Sequence, residues 1–188
     1  MIAKNMNKIS ILIFITLIAV LSSCALSLLN SYEEPEQAKF VGDILNNVSK
    51  KLQKKYSMRT IGTGIGMPDG VVTMLALSFE KTGPLSREEG RRIIVDCVQE
   101  MLQIINTHER IRPHLKNYPF TPSDIEIAIF LKDPLGYNIF YPHFGALSST
   151  NAQIDYMFTA SENPKRYLKI EEEKFEEALE MVQNESKK

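Results

Sequence analysis

The chain has 188 residues, 44% of them apolar and 24% charged, with 22 Lys and Arg against 23 Asp and Glu. That length suits one domain with a real core. The apolar share excludes a disordered chain, the near-balance of charge excludes the strong basic excess of a nucleic-acid binder, and two cysteines exclude a disulfide-built scaffold.

The first element is an address. Met1 to Lys8 carries only Lys4 and Lys8 as charged side chains, Ile9 to Leu21 is apolar apart from Ser10 and Thr16, and Ser22-Ser23-Cys24 follows. A basic start, a short apolar run and small residues before a cleavage point make a secretory signal. The apolar run would form roughly 20 Å of helix, short of the ~30 Å hydrocarbon core of a bilayer. Leu21-Ser22-Ser23-Cys24 resembles the lipobox of bacterial lipoproteins. The resemblance implies cleavage before Cys24 and a diacylglycerol thioether on its sulfur, with palmitate-type acyl chains. It also implies residence in the cell envelope facing the periplasm or exterior, with the outer membrane favoured because Ala25 stands where an aspartate would retain the protein at the inner membrane. The alternative is a retained anchor: carried through to Leu29, the apolar run reaches roughly 31 Å, enough to span, with the lysines inside. Either way the rest of the chain is tethered to a membrane, and the expected organisation is a signal peptide over 1–23, a lipidated tether over 24–35 and one domain over 36–188. Loss of Lys4 and Lys8 leaves that mature chain with 20 basic residues against 23 acidic. A lipidated Cys24 leaves Cys97 unpaired, and Cys97 falls on the apolar stripe of a helical stretch, the setting of a buried structural thiol rather than a reactive one.

From Glu36 to Lys55, Val41, Ile44, Leu45, Val48 and Leu52 recur at helical spacing, and the lysines at 50, 51, 54 and 55 suit the negative end of the helix dipole. Met58 to Phe79 predicts a β-hairpin turned by Met67-Pro68-Asp69-Gly70, with Val71 to Phe79 as its second arm. Ser86 with Glu89 three residues on is a capping box, opening a long helix with the face Ile94, Cys97, Val98, Met101, Leu102 and Ile105. Thr107 to Pro122 is a proline-rich loop. Three strands are then expected: Ile125 to Leu131, with Ala128 and Phe130 opposite its isoleucines, Tyr137 to Tyr141, and Gln153 to Thr159. A last amphipathic helix carries Phe175, Ala178, Leu179 and Val182, with Glu171, Glu172, Glu173, Glu176 and Glu177 on its solvated side. The order α-β-β-α-β-β-β-α predicts an α+β, two-layer domain: a mostly antiparallel sheet of about five strands with its helices on one face.

Two features invite a functional reading. Gly62, Gly64 and Gly66 share one face of a strand. No helix N-terminus and no Gly-Lys-Ser/Thr follows them, so a phosphate loop is excluded. They read either as a flat strip of sheet on which a helix or ring packs or as a surface where a ligand approaches the backbone. The loop Arg110 to Phe120 mixes cations and aromatics, as interaction hot spots do, with Arg110, Arg112, His114, Tyr118 and Phe120 as its candidate contacts. It reads equally as a segment folded over the sheet edge with Leu115, Tyr118 and Phe120 filling the core. His108, His114 and His143 lack a zinc-ligand spacing, and no nucleophile elbow, zincin motif or paired carboxylates are readable, so no metal, cofactor or catalytic residue is assigned.

Gly64-Ile65-Gly66-Met67-Pro68-Asp69, Glu88-Glu89-Gly90-Arg91-Arg92 and Arg112-Pro113-His114-Leu115-Lys116-Asn117-Tyr118-Pro119-Phe120-Thr121-Pro122 resemble segments of an uncharacterised lipoprotein family of Chlamydia-like intracellular bacteria. The likeness spans roughly 36–183 and brings no activity or site residues with it. The expectation is a lipid-anchored envelope protein of non-catalytic, binding type, its partners the membrane and an envelope protein. The competing expectation is a lipid-anchored hydrolase or small-ligand protein with a pocket near Gly62–Gly66.

Overall fold

The computed structural model describes residues 36–185; the signal segment, the tether and Cys24 lie outside them. Helix α1 (Glu36–Tyr56) leads into strands β1 (Met58–Gly66) and β2 (Met74–Thr82), helix α2 (Arg87–Thr107), strands β3 (Ile125–Lys132), β4 (Ala146–Thr150), β5 (Gln153–Ala160) and β6 (Asn163–Lys174), and helix α3 (Phe175–Glu185). Both long helices form where apolar spacing places them. In α2 each half of the capping box is made: Ser86 Oγ accepts from the Glu89 N–H at 3.1 Å, and the Glu89 carboxylate accepts from the Ser86 N–H at 2.8 Å. Among the described residues no helix is long and apolar enough to cross a membrane.

The domain is α+β, but its sheet is mixed and has six strands, ordered β1-β2-β3-β4-β5-β6. The parallel joint is β2 with β3. It follows from the intervening helix, since a parallel pair needs a crossover where an antiparallel one needs only a turn. The other four pairings are antiparallel. The additional strands come from two places where pairing overrides local signals. Tyr137 to Tyr141, expected as a strand, meets the sheet through a bridge between Asn138 and Lys132 and a hydrogen bond from the Tyr141 N–H to the Thr159 carbonyl at 2.8 Å. The Asp133 carboxylate accepts from the Leu135 and Tyr137 N–H groups and folds the chain into a turn there. The actual strand is Ala146–Thr150, short and serine-rich. Glu171 to Glu173, expected on the last helix, belong to β6, and α3 begins only at Phe175.

One face of the sheet carries the core. Leu75, Leu77 and Phe79 of β2, Ile125, Ile127 and Ile129 of β3, and Ile154 and Tyr156 of β5 are buried with the apolar stripes of α1 and α2. A Cβ on Gly90 would come within 3.1 Å of the Phe144 ring and 3.3 Å of Leu147, so the glycine lets α2 sit close over β4. Where β6 meets this layer, the contact is ionic. Arg91 donates through Nε and Nη2 to the Glu173 carboxylate at 3.0 and 2.9 Å, and the Tyr156 hydroxyl donates to the same carboxylate at 2.6 Å. Burial alone would raise the pKa of Glu173, but the hydrogen bonds from Arg91 and Tyr156 outweigh it and hold the carboxyl below its ordinary range. Arg87 bonds Glu171 at 2.6 Å and lies 4.6 Å from the Tyr156 ring centre. These partners hold the glutamates of a good helix-forming run in a strand.

Candidate functional site

The loop after α2 is held by its own chain. Ile111, Leu115 and Phe120 are buried. The backbone of Val72 accepts from Lys116 and donates to His114, at 2.9 and 2.7 Å, and Asn106 clasps the Phe120 backbone through both ends of its amide. The arginines stack on neighbouring rings: Arg110 lies 4.3 Å from the centre of Phe40, and Arg112 lies 4.5 Å from that of Tyr118. Tyr118 is half exposed and donates to the Asn106 carbonyl at 3.1 Å. Phe120, at 2% exposure, is a core residue and presents no surface to a partner. His114 borders an open hollow of about 470 Å³ with Arg110, Phe40, Lys39 and Asp43. Its wall mixes both signs of charge.

His108 packs edge-on against Phe40, and His143 is exposed beside Phe144. Among the described residues no three His, Cys, Asp or Glu side chains gather closely enough to hold a metal ion. Cys97 is fully buried, and desolvation pushes its thiol well up from its ordinary value, so it is held as an inert thiol.

The glycine strand lies at one end of a different feature. Directly paired residues share a face of a sheet, and the register therefore gives the side opposite the helices row by row. Gly64 pairs with Ala76, and Ala76 with Glu126. The next row is Gly62, Ser78, Ala128, Ser148, Asp155 and Glu172. The row beyond is Glu80, Phe130, Ala146, Met157 and Ile170. No helix or aromatic ring meets the glycines. A Cβ on Gly64 would meet only the Ala76 methyl at 3.2 Å, and one on Gly62 only the Ser78 side chain, so the strip is flat because its cross-strand neighbours are small.

A bulge in β1 between Thr60 and Gly62 turns Ile61 toward the apolar row. With Phe130 and Tyr167 it borders a trough of about 320 Å³ floored by Gly145 and Ala146. A Cβ on Gly145 would lie 2.5 Å from the Ile139 carbonyl oxygen, so only glycine lets the floor run this close to the preceding loop. Ile61, Phe130, Tyr167 and Ile170 are 45%, 38%, 47% and 47% exposed. Large apolar side chains left in water together mark interaction surfaces. The charged groups of the trough wall are engaged locally: Arg59 binds Glu80 at 2.9 Å, and Lys132 donates to Asn138 at 2.6 Å. The geometry offers apolar contact along several strands.

The signal for this site lay in β3, where strict alternation sets Phe130 on the face opposite three isoleucines. Tyr167 and Ile170 had no such signal, because their strand was hidden in a charged run. Compared with known protein families, with curated proteins and with solved structures, the chain matches none.

Proposed function

We propose that the chain is a lipid-anchored, non-catalytic binding protein of the bacterial envelope, joined to the membrane at Cys24, and that its binding surface is the open face of the sheet. The observation that carries the reading is the company of Ile61, Phe130 and Tyr167, exposed around one trough, with Ile170 exposed further along the same apolar row, while the helices bury the opposite face. A monomer gains nothing in stability from aromatic and aliphatic side chains held in water. The arginines of the Arg110–Phe120 loop already stack on Phe40 and Tyr118, which favours the sheet over that loop as the contact surface. Support for the anchor is the lipobox-like Leu21-Ser22-Ser23-Cys24.

The test is photo-crosslinking in cells of the full chain carrying a photoreactive phenylalanine analogue at position 130 or, as control, at the exposed position 50 on α1. Discrete adducts to an envelope protein from position 130 and not from 50 are expected. Identical patterns from both positions refute the surface. In the same preparations the mass of the N-terminal peptide reads the anchor: a diacylglyceryl group on Cys24 is expected, and an unmodified Cys24 removes that part of the reading.

A further inference from the structure

Beside its apolar row the open face carries carboxylates that no cation meets among the described residues. Asp155 and Glu172 stand directly opposite each other on β5 and β6, one row from Met157 and Ile170. Like charges in that position repel and destabilise the pair. Glu126 adds a third carboxylate from β3. Asp155 accepts one hydrogen bond, from the Gln153 amide at 2.9 Å; among the described residues none of the three forms an ion pair. Three described cations of this face are turned elsewhere: Arg59 to Glu80, Lys132 to Asn138 and Lys174 to Glu177. The apolar row across β3 to β6 is therefore flanked by a row that is small and polar on β3 and β4 and acidic on β5 and β6, with Glu126 one row further out. Two residues along a strand separate the rows, roughly 7 Å.

Resting on the reading of the open face as a binding surface, we propose that its occupant is a cationic segment of another protein, extended across strands β3 to β6 with apolar and basic residues in alternation. Alternate side chains of an extended chain point to opposite sides. One side then lies on Phe130, Met157 and Ile170 while the other brings Lys or Arg to Asp155 and Glu172. Three inter-strand steps of ~4.8 Å span roughly 14 Å, the length of four or five extended residues. The bound cations relieve the repulsion between the two carboxylates, so the face is complementary in charge as well as in apolar contact.

The proposal is tested by fluorescence anisotropy on the full chain in detergent micelles, with fluorescein-labelled heptapeptides of alternating leucine and lysine or alternating leucine and glutamate. The lysine peptide is expected to bind at least tenfold more tightly than the glutamate peptide and to weaken with salt. The double variant Asp155→Asn, Glu172→Gln should weaken it about fivefold and flatten the salt dependence, with thermal unfolding unchanged or slightly raised. Phe130→Ser should weaken both peptides. Equal affinity for the two peptides, or lysine-peptide binding indifferent to the double variant, overturns the cationic occupant while a Phe130→Ser effect leaves the binding face standing. Indifference to Phe130→Ser refutes the face itself. Self-association of the chain, abolished by Phe130→Ser and with neither peptide bound, assigns the face to a second copy and also overturns the proposal.

Discussion

The two faces of this sheet are built from the same strands and differ in every other residue. On β2, Leu75, Leu77 and Phe79 are buried against the helices while Ala76, Ser78 and Glu80 face outward; on β3 the isoleucines face inward and Glu126, Ala128 and Phe130 outward. From β2 to β5 the covered face is mostly large and apolar, as a packed interior demands, and at β6 it turns ionic. The open face is graded, from small residues beside β1 to carboxylates and exposed apolar groups toward β6. Packing and the proposed recognition are thus interleaved at a period of two, and a substitution is expected to act on one or the other according to its parity.

Three substitutions break or sharpen that contrast. The largest effect is expected from Phe79→Ala: a fully buried ring is lost from the covered face, and urea unfolding should show about 4 kcal/mol of lost stability. Next is Glu173→Gln, which leaves Arg91 buried without its carboxylate and should cost about 2–3 kcal/mol. This variant also carries a pH signature. The folded-state pKa of Glu173 is held below its ordinary 4.5, so the stability it confers is complete above that value and is lost as pH falls through the lower, folded one. Acid titration of stability should therefore show a limb below about pH 4.5 that is absent in Glu173→Gln. The smallest effect belongs to Ser78→Ala on the open face, less than 0.5 kcal/mol by the same urea measurement; a loss comparable to that of Phe79→Ala would mean that the open face is structural after all.

Much of this was legible in the residues themselves. The apolar spacing of α1, the capping box of α2 and the alternation of β3 each use a local rule that tertiary structure did not override. The hairpin was legible too, although β2 begins at Met74 rather than Val71, because Val72 is taken by the backbone of the loop after α2. What escaped are segments whose conformation is imposed from a distance. Ala146–Thr150 has little intrinsic strand signal and becomes a strand because β3 and β5 flank it. Glu171 to Glu173 favour a helix on their own, and Arg87, Arg91 and Tyr156, about 15 to 85 positions away, hold them extended. The site shares this division: Phe130 sits in a readable strand, Tyr167 and Ile170 in an unreadable one.

The strand order has its own consequence. Because the sheet runs β1 to β6 in the order of synthesis, each strand after β1 adds to a strand that precedes it in the chain. Growth by addition at one end leaves the newest strand as a raw edge, the kind that recruits foreign strands. The last strand ends that exposure with a sequence of its own kind, Lys169, Glu171, Glu172, Glu173 and Lys174, a charged selvedge that stops the weave.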